Sequence, residues 1–145
     1  MKIFKRKEWW LIGLDNGIVI KRITREQIES IPPYIETDIT EYNNEIEMEI
    51  AYWRKCWGIR NEIIKILHMS DDQYRAEINI EDIPPIIRML YNFLSESYWN
   101  EYGDSIWDYD EGIKEKLVQN IINLKWLYYF MQKNENIEIE FYDSY

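Results

Sequence analysis

The longest regular pattern in the chain is an apolar period of 3.6 residues running from about residue 40 to 69. It narrows the available folds more than any other feature. With Trp53 set at zero and 100° allowed per residue, Ile39, Tyr42, Ile46, Ile50, Trp57, Ile64 and Leu67 all fall within about 60° of it. The spacing predicts one long amphipathic helix, closed by Ser70-Asp71-Asp72. Two charges, Glu49 and Arg60, fall on its apolar stripe, with Glu45 at the margin. On a helix they would stand about 16 Å apart along the axis and could not meet. Each is therefore expected to find a structural ion pair elsewhere or to face a pocket, because an unpaired charge on a buried stripe is costly.

The elements on either side follow with short joins. Residues 8–14 and 18–23 are β-rich runs separated by Asp15-Asn16-Gly17, which reads as an N-terminal hairpin. Thr24-Arg25-Glu26-Gln27 fits a capping box and opens a short helix that ends before Pro32-Pro33. Asp82 caps a helix over about 82–97, with Pro84 and Pro85 in its first turn and Ile86, Ile87, Leu90, Phe93 and Leu94 on its buried side. A last helix, about 110–133, is apolar on more than one face, which places it centrally. The tail Ile137-Glu138-Ile139-Glu140-Phe141-Tyr142 alternates with period two and reads as a strand. The expected fold is α+β and helix-dominated. An N-terminal hairpin and a C-terminal strand form a small sheet, packed on three main helices (about 40–69, 82–97 and 110–133). With no repeat, linker or low-complexity tract in 145 residues, the expectation is a single domain over 1–145.

Composition says what fills such a core. Alanine occurs only at Ala51 and Ala76 and there are 5 glycines, so isoleucine and the 23 aromatic residues do most of the packing. Cys56 is the only cysteine, so no internal disulfide can form. The basic start, Lys2, Lys5, Arg6 and Lys7, is followed by an apolar run too short for a signal peptide, and no stretch has the ~20 apolar residues of a membrane span. These features predict a cytoplasmic protein.

The net charge of −10 is unevenly spread. Residues 1–25 hold seven basic side chains against two acidic ones, and the remainder holds ten against 25. An acidic body repels phosphate backbones, which makes nucleic acid an unfavourable partner, and attracts basic protein surfaces.

No catalytic centre is legible. His68 is the only histidine, and it lies twelve residues from Cys56, about 18 Å along a helix. None of the familiar nucleophile, zinc or phosphate-loop motifs occurs. The run Asp104 to Gly112 resembles a calcium loop only loosely, since its glycine is out of place and Glu115 arrives a residue early. The reading is of a non-enzymatic protein with no cofactor and no metal.

Two surfaces stand out instead. Residues 95–111 carry Glu96, Glu101, Asp104, Asp108, Asp110 and Glu111 among Tyr98, Trp99, Tyr102, Trp107 and Tyr109, with no basic residue between them. Such a mixture suits a protein-interaction surface for a basic partner. The alternative is a ligand site for a nucleotide-like signal, with Trp53 and Trp57 stacking on a base and Arg54, Lys55 and Arg60 on phosphate.

The segment Ile50-Ala51-Tyr52-Trp53-Arg54-Lys55 resembles a group of small uncharacterised phage and prophage proteins of Gram-positive bacteria, which carry a Tyr-Trp-Arg-Lys signature on a helix. The likeness covers about residues 45–69. Members continue with Ala-Asn and then a histidine, where this chain has Cys56-Trp57-Gly58-Ile59-Arg60, so any role of that histidine is lost. The resemblance implies a phage-encoded accessory protein with no activity to carry over. Together these readings give a phage-type accessory protein that binds and blocks a host protein with a basic surface, as an inhibitor of an anti-phage or CRISPR system in counter-defence. Sequestration of a small ligand, and a structural or assembly role as a homo-oligomer, are the alternatives.

Overall fold

The computed structural model describes residues 15–54, 56–95 and 113–144. Among them are five strands, β1 (Asp15–Lys21), β2 (Asp38–Tyr42), β3 (Glu45–Arg54), β4 (Arg75–Glu77) and β5 (Glu138–Ser144). Four helices accompany them: α1 (Arg25–Glu29), α2 (Trp57–Leu67), α3 (Ile83–Leu94) and α4 (Ile113–Lys133). The strands form one antiparallel sheet in the order β2-β3-β1-β5-β4. The sheet is drawn from the whole length of the described chain. This overturns the expected architecture of three main helices packed on a small terminal sheet.

The principal correction concerns residues 40–69. Instead of one helix they form most of the β2–β3 hairpin, then α2. The hairpin turns at Asn43-Asn44, both at positive φ (50° and 65°), as a type I′ turn requires. Beyond it, Glu45-Ile46-Glu47-Met48-Glu49-Ile50 alternates, and Ile46, Met48 and Ile50 are buried. On a helix Met48 would lie about 140° from Trp53; on the strand it enters the core. The charge of Glu49 on the supposed apolar stripe has the same explanation, since it lies on a strand between two inward residues, whereas Arg60 does lie on a helix.

The Asp15-Asn16-Gly17 segment is also not a turn. It begins β1, the central strand, which pairs with β3 on one side and β5 on the other. The first strand of the expected N-terminal hairpin, residues 8–14, lies outside the described residues. The capping box at Thr24 and Gln27 is present in both directions and starts α1. Pro84 and Pro85 sit in the first turn of α3, and α3 and α4 form within a few residues of the expected helices. In β5, Ile139 and Phe141 are fully buried and Ile137, just before the strand, partly so.

Register assigns the faces. Asn16, Ile18 and Ile20 of β1 share a face with Met48, Ala51 and Trp53 of β3 and with Ile139, Phe141 and Asp143 of β5. Ile59 and Ile63 of α2, Ile86, Leu90 and Phe93 of α3 and Leu117, Leu124 and Leu127 of α4 join the apolar members of this face in one core. This is the helix face. Asp15, Gly17 and Val19 lie on the far face with Glu47, Glu49 and Tyr52 of β3 and Glu140 and Tyr142 of β5.

Candidate functional site

Two polar clusters flank the central strand. On the helix face, Asn16 and Asp143 are register partners, and the Asn16 amide donates to Asp143 Oδ1. Arg60, from the first turn of α2, closes on the same carboxylate, with Nε 3.0 Å from both oxygens and a terminal nitrogen 2.8 Å from Oδ2. Asp143 is 3% exposed, so this is a buried charge held by its partners. The Arg60 guanidinium also lies over the Trp57 ring at 5.7 Å. Trp53 Nε1 and Asn16 Oδ1, on cross-strand neighbours, are buried without a hydrogen-bond partner.

On the far face each cluster member is a phenol on a carboxylate. Tyr52 donates to Asp15 across β3 and β1. Tyr142 donates to Glu49 Oε2 at 2.6 Å, crossing β1 to reach β3. It crosses at Gly17, its own register partner, where a Cβ would come within 2.5 Å of the phenol ring. Glycine is needed there for space. Burial pushes both phenols well above the usual tyrosine range, and the adjoining carboxylate pushes them further. Both stay protonated and donating at any ordinary pH.

Tyr52 and Glu49 also line a cleft of about 480 Å3 between the end of β3, residues 36–38 and the start of α4. The hairpin accounts for it. β2 pairs with β3 only as far as Asp38 and Glu49, leaving residues 50–54 beyond the reach of β2. There α4 supplies side chains instead: Asn123 Nδ2 donates to Ile50 O and to Glu36 O, each at 2.8 Å. Gln119 donates to Asn123 Oδ1 and to Tyr34 O. Lys116 lies 6.0 Å from the Tyr52 ring centre. Asn120 lines the cleft, is 5% exposed, and its amide nitrogen has no acceptor. The cleft is acidic in balance, with Glu36, Asp38, Glu49 and Glu115 against Lys116.

The residues singled out in the sequence fare unequally. Glu96, Tyr98, Trp99, Glu101, Tyr102, Asp104, Trp107, Asp108, Tyr109, Asp110 and Glu111 lie outside the described residues, as does Lys55. Trp53 is fully buried in the core, so its ring has no open face for stacking. Arg54 is exposed at the end of β3, and Trp57 is 42% exposed at the start of α2. Of that set the structure brings together Trp57 and Arg60, and binds Arg60 to Asp143. Cys56 and His68 stand at opposite ends of α2. Among the described residues, no three His, Cys, Asp or Glu side chains converge as a metal site needs, and no helix is long and apolar enough to cross a membrane.

The cleft residues missed in the sequence carry a signal. Lys116, Gln119, Asn120 and Asn123 follow the spacing i, i+3, i+4, i+7 on a helix that also sends Leu117, Ile121, Leu124 and Leu127 into the core. A polar stripe where a central helix should be greasy marks something other than core. No protein-family profile, no curated protein and no solved structure matches the chain.

Proposed function

We propose that this is a phage-type accessory protein without catalytic activity, which binds a basic surface of a host protein and blocks it, in the service of counter-defence. The observation that carries the reading is the far face of the sheet. Alternation along β3 and β5 sets Glu45, Glu47, Glu49, Glu138 and Glu140 on that face, beside Tyr42, Tyr52 and Tyr142. Four of these carboxylates have ion pairs: Glu47 with Lys21 at 2.9 Å, Glu45 and Glu138 with Arg22 at 3.6 and 3.9 Å, and Glu140 with Arg75 at 2.7 Å. The two Arg22 pairs are exposed on both partners and exchange readily for a partner's cations, because exposed pairs are worth only about 0–1 kcal/mol. Tyrosines among carboxylates supply contact area at low entropic cost, and the acidic field speeds encounter with a basic surface.

The test joins capture to consequence. The protein is used as bait in host lysate beside a variant carrying Glu45→Gln, Glu47→Gln and Glu138→Gln, and phage plating is scored on hosts with defined defence systems. A partner retained by the wild type, lost by the variant and lost in high salt, together with restored plating, is the expected result. Equal capture by both proteins, or plating unchanged on every host, overturns the proposal.

A further inference from the structure

The cleft beside α4 differs from the sheet face next to it in having a floor of amides and a buried donor without a partner. We infer that it receives one arginine side chain from an extended segment of the basic partner, together with a backbone carbonyl of that segment; this rests on the reading of the far face as a docking surface. Charge selects a cation, since Glu36, Asp38 and Glu115 on its walls have no ion pair among the described residues. The amides select geometry. A guanidinium is a flat fork of donors that carboxylate and amide oxygens can accept together, which a single ammonium cannot match.

Asn120 supplies the second half of the argument. A buried amide N–H without an acceptor is costly, so a core position would ordinarily be filled by an apolar residue. Here Asn120 stands one residue before Ile121 and one turn after Lys116, on the cleft wall. Its amide turns about a broad, soft torsion. A carbonyl entering the cleft beside the guanidinium gives that nitrogen its acceptor. At about 480 Å3 the cleft is within the usual 300–1,000 Å3 of small-ligand sites and holds one side chain with its flanking peptide units.

The probe is the capped peptide acetyl-Ala-Arg-Ala-amide, titrated into the full chain and followed by the side-chain amide resonances of Asn120, Gln119 and Asn123. Controls are the citrulline peptide, which is neutral and nearly isosteric, and agmatine, which keeps the guanidinium and lacks the carbonyl. The arginine peptide should shift the Asn120 resonance and bind about tenfold more tightly than either control. Asn120→Leu should lose about tenfold in affinity while its melting temperature stays level or rises, because an unpaired buried amide has been removed. Should that variant misfold, Glu115→Gln, at an exposed position, should still lose a few-fold through charge alone. Equal binding of the citrulline peptide, Asn120→Leu binding as the wild type does, or no shift at any cleft amide overturns the inference. If the peptide fails but the sheet-face variants still release the host partner, the cleft reading falls and the docking face stands. If the peptide binds and the partner is indifferent to the sheet face, the reverse holds.

Discussion

The same three strands carry a polar cluster on each side of the sheet, and the two are built differently. On the helix face, Asp143 is a buried carboxylate fixed by Arg60 and Asn16, and its amide N–H also donates to Tyr74 O at 2.8 Å. Every contact there ties one element to another: α2 to β5, β1 to β5, and β5 to the segment leading into β4. On the far face phenol-to-carboxylate hydrogen bonds join Tyr52 to Asp15 and Tyr142 to Glu49, at the rim of a cleft. The first arrangement concentrates charge where water is excluded and so makes stability depend on it. The second sets phenols held neutral against Asp15, itself only 4% exposed, and the half-buried Glu49. Comparable chemistry on two faces of one strand thus rests on an ion pair on one side and on neutral phenol donors on the other.

That contrast is broken most directly at Asp143. Asp143→Ala leaves Arg60, whose side chain is 16% exposed, without its carboxylate, and should destabilise the fold by about 3–5 kcal/mol in urea titration. Adding Arg60→Met removes the stranded charge and should recover a large part of that loss. A cost below about 1 kcal/mol for the single variant would mean that the cluster is as dispensable as a surface pair.

The next effect belongs to Gly17. A methyl there cannot coexist with the Tyr142 ring in its present place, so Gly17→Ala should cost about 1–3 kcal/mol by overpacking. The diagnostic is non-additivity. In the background of Tyr142→Ala the ring is gone, and Gly17→Ala should then be close to neutral. Equal costs in both backgrounds would show that Gly17 matters for another reason, and the far face would lose its claim to a designed crossing.

How much of this was legible beforehand depends on which period each segment leaves unambiguous. α4 and β5 were readable because 21 residues of helical apolar spacing, or a strict alternation of Ile137, Ile139 and Phe141, admit one interpretation. Residues 45–54 were not, because Ile46 and Ile50, four apart, satisfy a helix and a strand equally. Met48 between two glutamates, and Asn43-Asn44 just before them, were the signals that favoured the strand. Asp15-Asn16-Gly17 misled for a different reason: turn-forming residues were chosen here for tertiary needs, two as buried hydrogen-bonding side chains and one as space for a ring. The Arg60–Asp143 pair joins residues 83 apart in sequence, one on α2 and one on β5, which only the tertiary fold brings together. The cleft was half legible, in the polar stripe from Lys116 to Asn123, but its other wall belongs to β3, where the apolar spacing also fits a helix.

The smallest effect gives the finest test of the comparison. Tyr142→Phe removes one hydrogen bond and nothing of the ring, and should cost about 1 kcal/mol at neutral pH. The difference should widen in alkali, and its sign is fixed by the direction of the shift. Both far-face phenols ionise at a higher pH in the folded protein than in the unfolded chain. Their contribution is therefore complete below about pH 10, the ordinary tyrosine value, and declines above it as unfolded phenols lose protons that native ones retain. Stability of the wild type should fall as pH rises beyond that point, and Tyr142→Phe should fall less steeply. Phenolate absorbance near 295 nm should show tyrosines that ionise only as the protein unfolds, with one fewer in the variant. Parallel slopes, or full ionisation of the native protein near pH 10, would mean that Tyr142 is solvated like a surface residue and that the far face holds its carboxylates by something other than buried phenols.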